Sequence, residues 1–123
     1  MNKINDQIII YYDPNINEGL IGIIASRLKD YFNKPAFIIT NSNNLLKGSA
    51  RSINNYDIGR VIKTLLDKKI ILNGGGHNMA AGFTLEKKNL SNFRDFIKED
   101  YLKKNIQNYD NFYYDAEVSP IIF

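Results

Sequence analysis

Gly74, Gly75 and Gly76 precede His77, which is the only histidine of the chain. Uncovered backbone amides, and the positive φ that glycine permits, predict a loop that curls around an anion such as a phosphate. The small residues at 80–82 let this loop approach a neighbouring backbone closely. His77 adds a donor that binds an anion more strongly when the imidazole is protonated. The structural alternative is a plain turn with His77 bonded to a carbonyl.

A second polar segment lies inside a stretch with the length of a strand, Leu45 to Ile53. Its centre is small and polar, which makes it a poor core element, so we expect it to present its side chains to a ligand. The planar guanidinium of Arg51 can donate two parallel hydrogen bonds to a phosphate, and Ser49 and Ser52 add hydroxyl donors beside it. A solvated edge strand, with Arg51 in a surface salt bridge, is the alternative.

The composition excludes several other kinds of site. The 123 residues include no cysteine and one histidine, so disulfides, thiolate metal sites and multi-histidine metal sites cannot form. A net charge of +3 is compatible with a phosphate-bearing partner. With 44% hydrophobic residues, the chain is long enough and apolar enough for one globular core. We find a phosphate-binding constellation and no complete catalytic one.

The elements that must position these residues follow from apolar periodicity. Strands and helices alternate, which predicts an α/β fold with a small mixed β-sheet of about four or five strands flanked by helices. Asp57 is a predicted helix N-cap. The predicted strands are Gln7–Tyr12, Ala36–Thr40, Leu45–Ile53, Ile70–Leu72 and Phe83–Leu85, and the predicted helices are Gly19–Phe32, Asp57–Leu66 and Leu90–Lys104.

We expect two parts along the chain. Residues 1–104 form one phosphate-binding or nucleic-acid-binding subdomain, and residues 105–123, which lack a clear apolar period, are a linker or the start of a following module. The apolar run Ile8–Tyr12 is too short for a membrane span or a signal core. Together with the absence of cysteine, this favours a cytoplasmic protein that has no membrane partner.

Three segments resemble, in order and in spacing, the motifs of the RecJ family of single-strand-specific 5′→3′ DNA exonucleases. They are Glu18–Leu28, Lys47–Ile53 and Gly74–Gly82. The resemblance implies a C-terminal DHH-associated subdomain of the DHH phosphoesterase superfamily, with a role in DNA repair and recombination. It also implies that single-stranded DNA is bound through these residues: Ser49, Arg51, the backbone of Gly74, Gly75 and Gly76, His77 and Asn78.

The same resemblance implies that the catalytic metal ions lie elsewhere. In this superfamily a separate N-terminal DHH half binds two Mn²⁺ or Mg²⁺ ions, so this chain is expected to hold no cofactor and to be inactive alone. The catalytic half would belong to the same parent protein or to another chain. Asn17 stands where the family usually has a histidine. The segment Asp115–Val118 resembles the lead-in to the family's OB-fold module.

Two other functions remain open at this stage. One is the corresponding subdomain of an oligoribonuclease or cyclic-dinucleotide phosphodiesterase, which also carries a glycine-histidine segment. The first-helix motif, Gly19–Leu28, argues against it. The other is a binding module associated with a tRNA synthetase, for which we would expect a preceding coiled coil.

Overall fold

The computed structural model describes the backbone of residues 7–118 and the side chains of residues 7–104. It contains one mixed five-stranded sheet and three α-helices, which confirms the predicted α/β fold. The strands are β1 (Ile9–Tyr12), β2 (Ala36–Ser42), β3 (Leu45–Arg51), β4 (Asn73–Gly76) and β5 (Ala80–Leu85). The helices are α1 (Ile21–Phe32), α2 (Ile58–Asp67) and α3 (Leu90–Val118), with 3₁₀ turns at Glu18–Leu20 and Lys87–Asn89.

The strand order in the sheet is β1-β2-β3-β5-β4. β1 and β2 are parallel and connected through α1, whereas the other neighbouring strands are antiparallel. α1 packs on one face of the sheet, where Ile21 and Ala25 are buried against Ile9 and Ile38. α2 and α3 pack on the opposite face. None of the described helices has the length and apolar character needed to cross a membrane.

The core on the α2 and α3 face is built around three aromatic rings. Phe93 of α3 stacks on Phe83 with a centroid distance of 4.9 Å and meets the edge of Phe37 at 5.9 Å. Gly48 lies beneath this cluster, and a Cβ on Gly48 would overlap the ring of Phe83. Residue 48 is therefore a glycine because the ring of Phe83 fills the space that a side chain would occupy, and not because a ligand lies there.

β3 is a central strand, so the alternative of a solvated edge strand is wrong. Its residues alternate between the two faces of the sheet, as strand geometry requires. Leu46, Gly48 and Ala50 point into the core, and Lys47, Ser49 and Arg51 occupy the α1 face. The polar side chains of this strand therefore lie on one face alone, and their contact with a ligand stays a prediction.

Helix boundaries follow local capping. The Asp57 side chain accepts a hydrogen bond from the Arg60 amide at 3.1 Å, which confirms the predicted N-cap. α1 begins later than predicted, because Asn17 caps the preceding 3₁₀ turn by accepting from the Gly19 amide at 2.7 Å. α3 extends past its predicted end at Lys104 to Val118, in a range whose sequence carries no apolar period to signal it.

Two of the connections between helices and strands contain asparagines in the left-handed backbone region. Asn33 has φ 54° and ends α1, where its amide bonds to the Lys29 carbonyl at 2.8 Å. Asn43 and Asn44 have φ of 51° and 69° in the turn between β2 and β3. Asparagine tolerates this region better than other residues that have a Cβ, so these positions form tight turns at low cost.

A partly buried carboxylate joins α2 to α3. Asp100 accepts hydrogen bonds from the Tyr56 hydroxyl at 2.8 Å and from both terminal nitrogens of Arg60, at 2.8 and 3.3 Å. Burial alone would raise the pKa of Asp100, but these hydrogen bonds outweigh it and hold that pKa below its ordinary value. Burial, and then the bond to Asp100, raise the pKa of Tyr56. This network holds the two helices in register.

Candidate phosphate site

α1 covers one half of its face of the sheet and leaves β5 and β4 uncovered. On the uncovered half, Ser49 pairs with Gly82 and Gly82 pairs with Gly75, so the three residues form one row across the strands. Both glycines are exposed. A Cβ on Gly75 would have nothing within 4 Å, and one on Gly82 would meet only the Gly48 carbonyl at 3.8 Å. We call this row, Ser49, Gly82 and Gly75, the glycine platform.

The next row of the sheet brings Arg51 and His77 into line. Arg51 pairs with Ala80, and the carbonyl of Ala80 accepts a hydrogen bond from the His77 amide at 2.9 Å. Two strand spacings therefore separate the backbones of Arg51 and His77, which is roughly 10 Å. The His77 side chain is exposed. The glycine platform is thus bordered along one side by the two residues that sequence reasoning selected for anion binding.

The Arg51 guanidinium is held in place by neutral groups. Nη1 donates to the Ser49 hydroxyl and to the Ala50 carbonyl, both at 2.9 Å. Within residues 7–104, none of the ion pairs includes Arg51, so the expected alternative of a surface salt bridge is not observed there. A guanidinium that no neighbouring carboxylate neutralises can still attract an anion.

The first turn of α1 lies directly against this guanidinium. Gly22 is the second residue of α1, and a Cβ on it would be 2.9 Å from Arg51 Nη2 and 3.4 Å from the Ser49 hydroxyl. The Arg51 guanidinium therefore packs on the side of the first turn of α1.

The three glycines form a strand, so the prediction of a glycine loop with positive φ is wrong. β4 is extended, and none of the described glycines has a positive φ. A Cβ on Gly74 would meet Ile62 Cγ2 at 3.0 Å, and one on Gly76 would overlap the Ala80 carbonyl. Gly74 permits close packing against α2 and β5, Gly76 permits close packing against β5, and of the three glycines only Gly75 opens onto the uncovered face.

The actual loop is the short turn His77–Met79, which is clamped on two sides. The Asn78 carbonyl accepts from the Ile58 amide at 3.0 Å, and the Met79 carbonyl accepts from the Ser52 amide at 2.9 Å. A Cβ on Gly59 would lie 3.1 Å from the His77 carbonyl. Sequence reasoning missed Gly59, although a glycine in the first turn of a helix, where it is disfavoured, was an available signal.

Lys47 has a different role from Arg51, although both lie on the same face of β3. Its ammonium lies 3.3 Å from the Glu18 carboxylate, which also accepts from the Ser42 hydroxyl at 3.0 Å. Lys47 is thus paired with a carboxylate. In the part of the chain that the structure describes, no three His, Cys, Asp or Glu side chains cluster in a way that could hold a metal ion, so these residues do not fit the metal site of a two-metal nuclease.

The mixed five-stranded sheet with helices on both faces defines a small α/β domain. The chain belongs to the DHHA1 domain family, whose model matches residues 5–103. This match covers most of the chain and includes every residue of the rows described above.

Curated relatives carry this domain within much longer proteins. The single-stranded-DNA-specific exonuclease RecJ of Haemophilus influenzae is 32% identical over 106 residues, which cover 77% of this chain and 18% of that protein. RecJ of Bacillus subtilis is 38% identical over 85 residues, which cover 68% of this chain and 11% of that protein. The chain therefore spans less than a fifth of the length of these relatives.

Solved structures share the fold. RecJ of Thermus thermophilus in complex with Mg²⁺ has a TM-score of 0.70 at 24% identity, over 80% of this chain and 16% of that chain. The C-Ala domain of Aquifex aeolicus alanyl-tRNA synthetase has a TM-score of 0.66 at 14% identity, over 80% of this chain and 94% of that chain. Both likenesses are of fold alone.

Proposed function

We propose that this chain is the DHHA1 domain of a RecJ-type 5′→3′ single-stranded DNA exonuclease that acts in DNA repair and recombination, and that it grips the phosphates of the DNA backbone. The observation that carries the proposal is the position of Arg51, with no carboxylate partner in residues 7–104, at the border of the open glycine platform. A phosphate on the platform would receive hydrogen bonds from Arg51 and Ser49, with His77 at the far end of the row that begins at Arg51.

The glycine edge extends the same surface. Because the His77 amide bonds to β5, alternation in an antiparallel ladder directs the amides of Gly74 and Gly76 away from β5, toward the free edge of the sheet. Uncovered amides at a sheet edge are donors for anions. In this proposal Gly74 and Gly76 donate backbone N–H groups to a neighbouring phosphate, and Asn78 adds an exposed side-chain amide.

Catalysis requires a part that lies outside this chain. Two-metal hydrolysis needs several convergent carboxylates and imidazoles to hold the ions and to activate water. In the proposal a DHH half binds Mn²⁺ or Mg²⁺, either in the same parent protein or in a separate chain, and this domain supplies substrate affinity. The purified chain is expected to release no nucleotides from 5′-phosphorylated single-stranded DNA in Mn²⁺ or Mg²⁺, and activity that survives a second purification would contradict this.

The alternatives have weaker support. The curated relatives cited above are named for action on single-stranded DNA, whereas the synthetase domain shares the fold at 14% identity. Binding assays with matched DNA and short RNA strands, and with tRNA, separate the three functions. A clear preference for RNA or tRNA over single-stranded DNA would exclude the RecJ assignment.

The direct test compares two arginines. Arg51→Ala is expected to weaken binding of a 5′-phosphorylated oligonucleotide by roughly 10- to 100-fold, which is the range for loss of charge-assisted hydrogen bonds, with little change in melting temperature. Arg27→Ala is the matched control, because Arg27 lies on the exposed side of α1 and its substitution removes the same single positive charge. If both variants bind alike, Arg51 is not a phosphate ligand.

A further inference from the structure

A recess of about 210 Å³ opens beside the row that contains Arg51 and His77. Asn33 and Lys29 at the end of α1, Asn54 after β3, and Met79 in the turn after β4 contribute to its lining. Ser52 also lines the recess, and its amide donates a hydrogen bond to the Met79 carbonyl at 2.9 Å. Since Ser52 follows Arg51 directly, the recess begins where the proposed phosphate contacts end.

The electrostatics of the recess disfavour a second phosphate. The Lys29 ammonium is neutralised by the Asp30 carboxylate at 2.7 Å. The recess also lies at the C-terminal end of α1, where the helix dipole is negative. An anion is therefore repelled here, whereas a neutral group with partly positive N–H edges is favoured.

The side chains at its mouth suit a planar heterocycle. Asn33 and Asn54 are exposed asparagines, and each carries both a donor and an acceptor. Met79 and Ile53 add a polarizable thioether and an apolar surface, on which a flat ring can pack. Both Asn side chains can turn to serve either a donor or an acceptor on a base edge, so the recess suits bases in general more than one base.

We infer that this recess binds a nucleobase of the strand whose phosphate lies on the glycine platform. The inference rests on the proposed function, because the phosphate site brings the strand to the recess. The recess adds a contact to a base, whereas the rest of the proposed surface binds only phosphates. The domain then discriminates a strand that carries bases from a bare sugar-phosphate backbone, with little preference among the four bases.

The test uses two fluorescent 5′-phosphorylated strands of equal length, one of thymidines and one of abasic tetrahydrofuran units. The double variant Asn33→Gly/Asn54→Ala removes both amides, and glycine keeps the left-handed backbone at position 33. It is expected to bind the thymidine strand about five- to tenfold more weakly than wild type and the abasic strand equally well. Asn43→Gly is the matched control, because Asn43 is an exposed left-handed asparagine in a distant turn. It should change neither affinity.

Arg51→Ala separates this inference from the proposed function. Loss of the phosphate contact should weaken binding of both strands equally. If Arg51→Ala behaves so, but wild type binds the abasic strand as tightly as the thymidine strand or the double variant binds both like wild type, the recess is not a base site and the phosphate site stands. If Arg51→Ala weakens neither strand, the proposed function fails, and the inference fails with it.

Discussion

Arg51 Nη2 lies 2.9 Å from the position that a Cβ on Gly22 would occupy, so the first turn of α1 and the end of β3 share one small space. The guanidinium rests there while Nη1 bonds to the Ser49 hydroxyl and the Ala50 carbonyl. Gly22 is therefore part of the candidate phosphate site, although it has no side chain. The orientation of Arg51 depends on a residue 29 positions earlier in the chain.

Gly22→Ala should separate stability from binding. Alanine is favoured over glycine inside a helix by about 1 kcal/mol, and the clashing atom is the end of a flexible side chain that can move. We therefore expect unchanged or higher thermal stability together with weaker oligonucleotide binding. In the Arg51→Ala background the same change should cost no further affinity. Additive losses in this double-mutant cycle would show that Gly22 does not act through Arg51.

Gly75 and Gly76 should respond in opposite ways to one substitution. Gly75→Val places its side chain in open space on an extended edge strand, where valine is favoured, so the fold should persist while the covered platform loses phosphate affinity. Gly76→Val pushes into the Ala80 carbonyl and should destabilise the protein by about 1–3 kcal/mol. Denaturant unfolding and oligonucleotide titration of both variants check this. A Gly75→Val protein that binds like wild type would contradict the platform.

The Asp100 network predicts a particular pH dependence of stability. The pKa of Asp100 is lower in the folded protein than in the unfolded chain, where the pKa of an aspartate side chain is about 3.9. Its stabilisation is therefore complete above that pH and is lost as the pH falls through the folded value. Asp100→Asn should lower the free energy of unfolding by about 2 kcal/mol at neutral pH, and the difference from wild type should shrink below about pH 4.

The control for this prediction is Asp95→Asn, since Asp95 is exposed on the same helix. It should change stability little across the whole range, within about 0.5 kcal/mol. Urea unfolding at several pH values between neutral and acid provides the measurement. A difference between Asp100→Asn and wild type that stays constant into the acid range would show that the carboxylate form is not what stabilises the fold.

Salt should weaken binding only gradually. If about three phosphates are engaged, the logarithm of the association constant should fall with the logarithm of salt concentration at a slope of roughly −2, as expected for single strands. Anisotropy titrations of one oligonucleotide at several salt concentrations give this slope. A much steeper slope would require a larger basic surface than Arg51, His77 and the glycine edge provide.

Local patterns in the sequence determined most of the elements. Apolar periodicity identified α1, α2, β1 and β2, and Asp57 marked the start of α2, because helix faces and caps depend on residues only a few positions apart. The identities of Arg51, Ser49 and His77 indicated phosphate chemistry, which depends on functional groups and not on their surroundings. The family motifs predicted a resemblance to the RecJ exonucleases, and the identity to RecJ relatives confirms that resemblance.

Only the tertiary structure decided what the glycines do. A glycine run permits a loop or a strand equally well, and pairing with β5 selects the strand. The register that places Ser49, Gly82 and Gly75 in one row joins segments far apart in sequence, so no local pattern encodes it. The packing of Gly22 on Arg51 and of Gly59 on His77 likewise exists only after the helices dock. Each contact depends on how closely a helix approaches a residue that is distant in sequence.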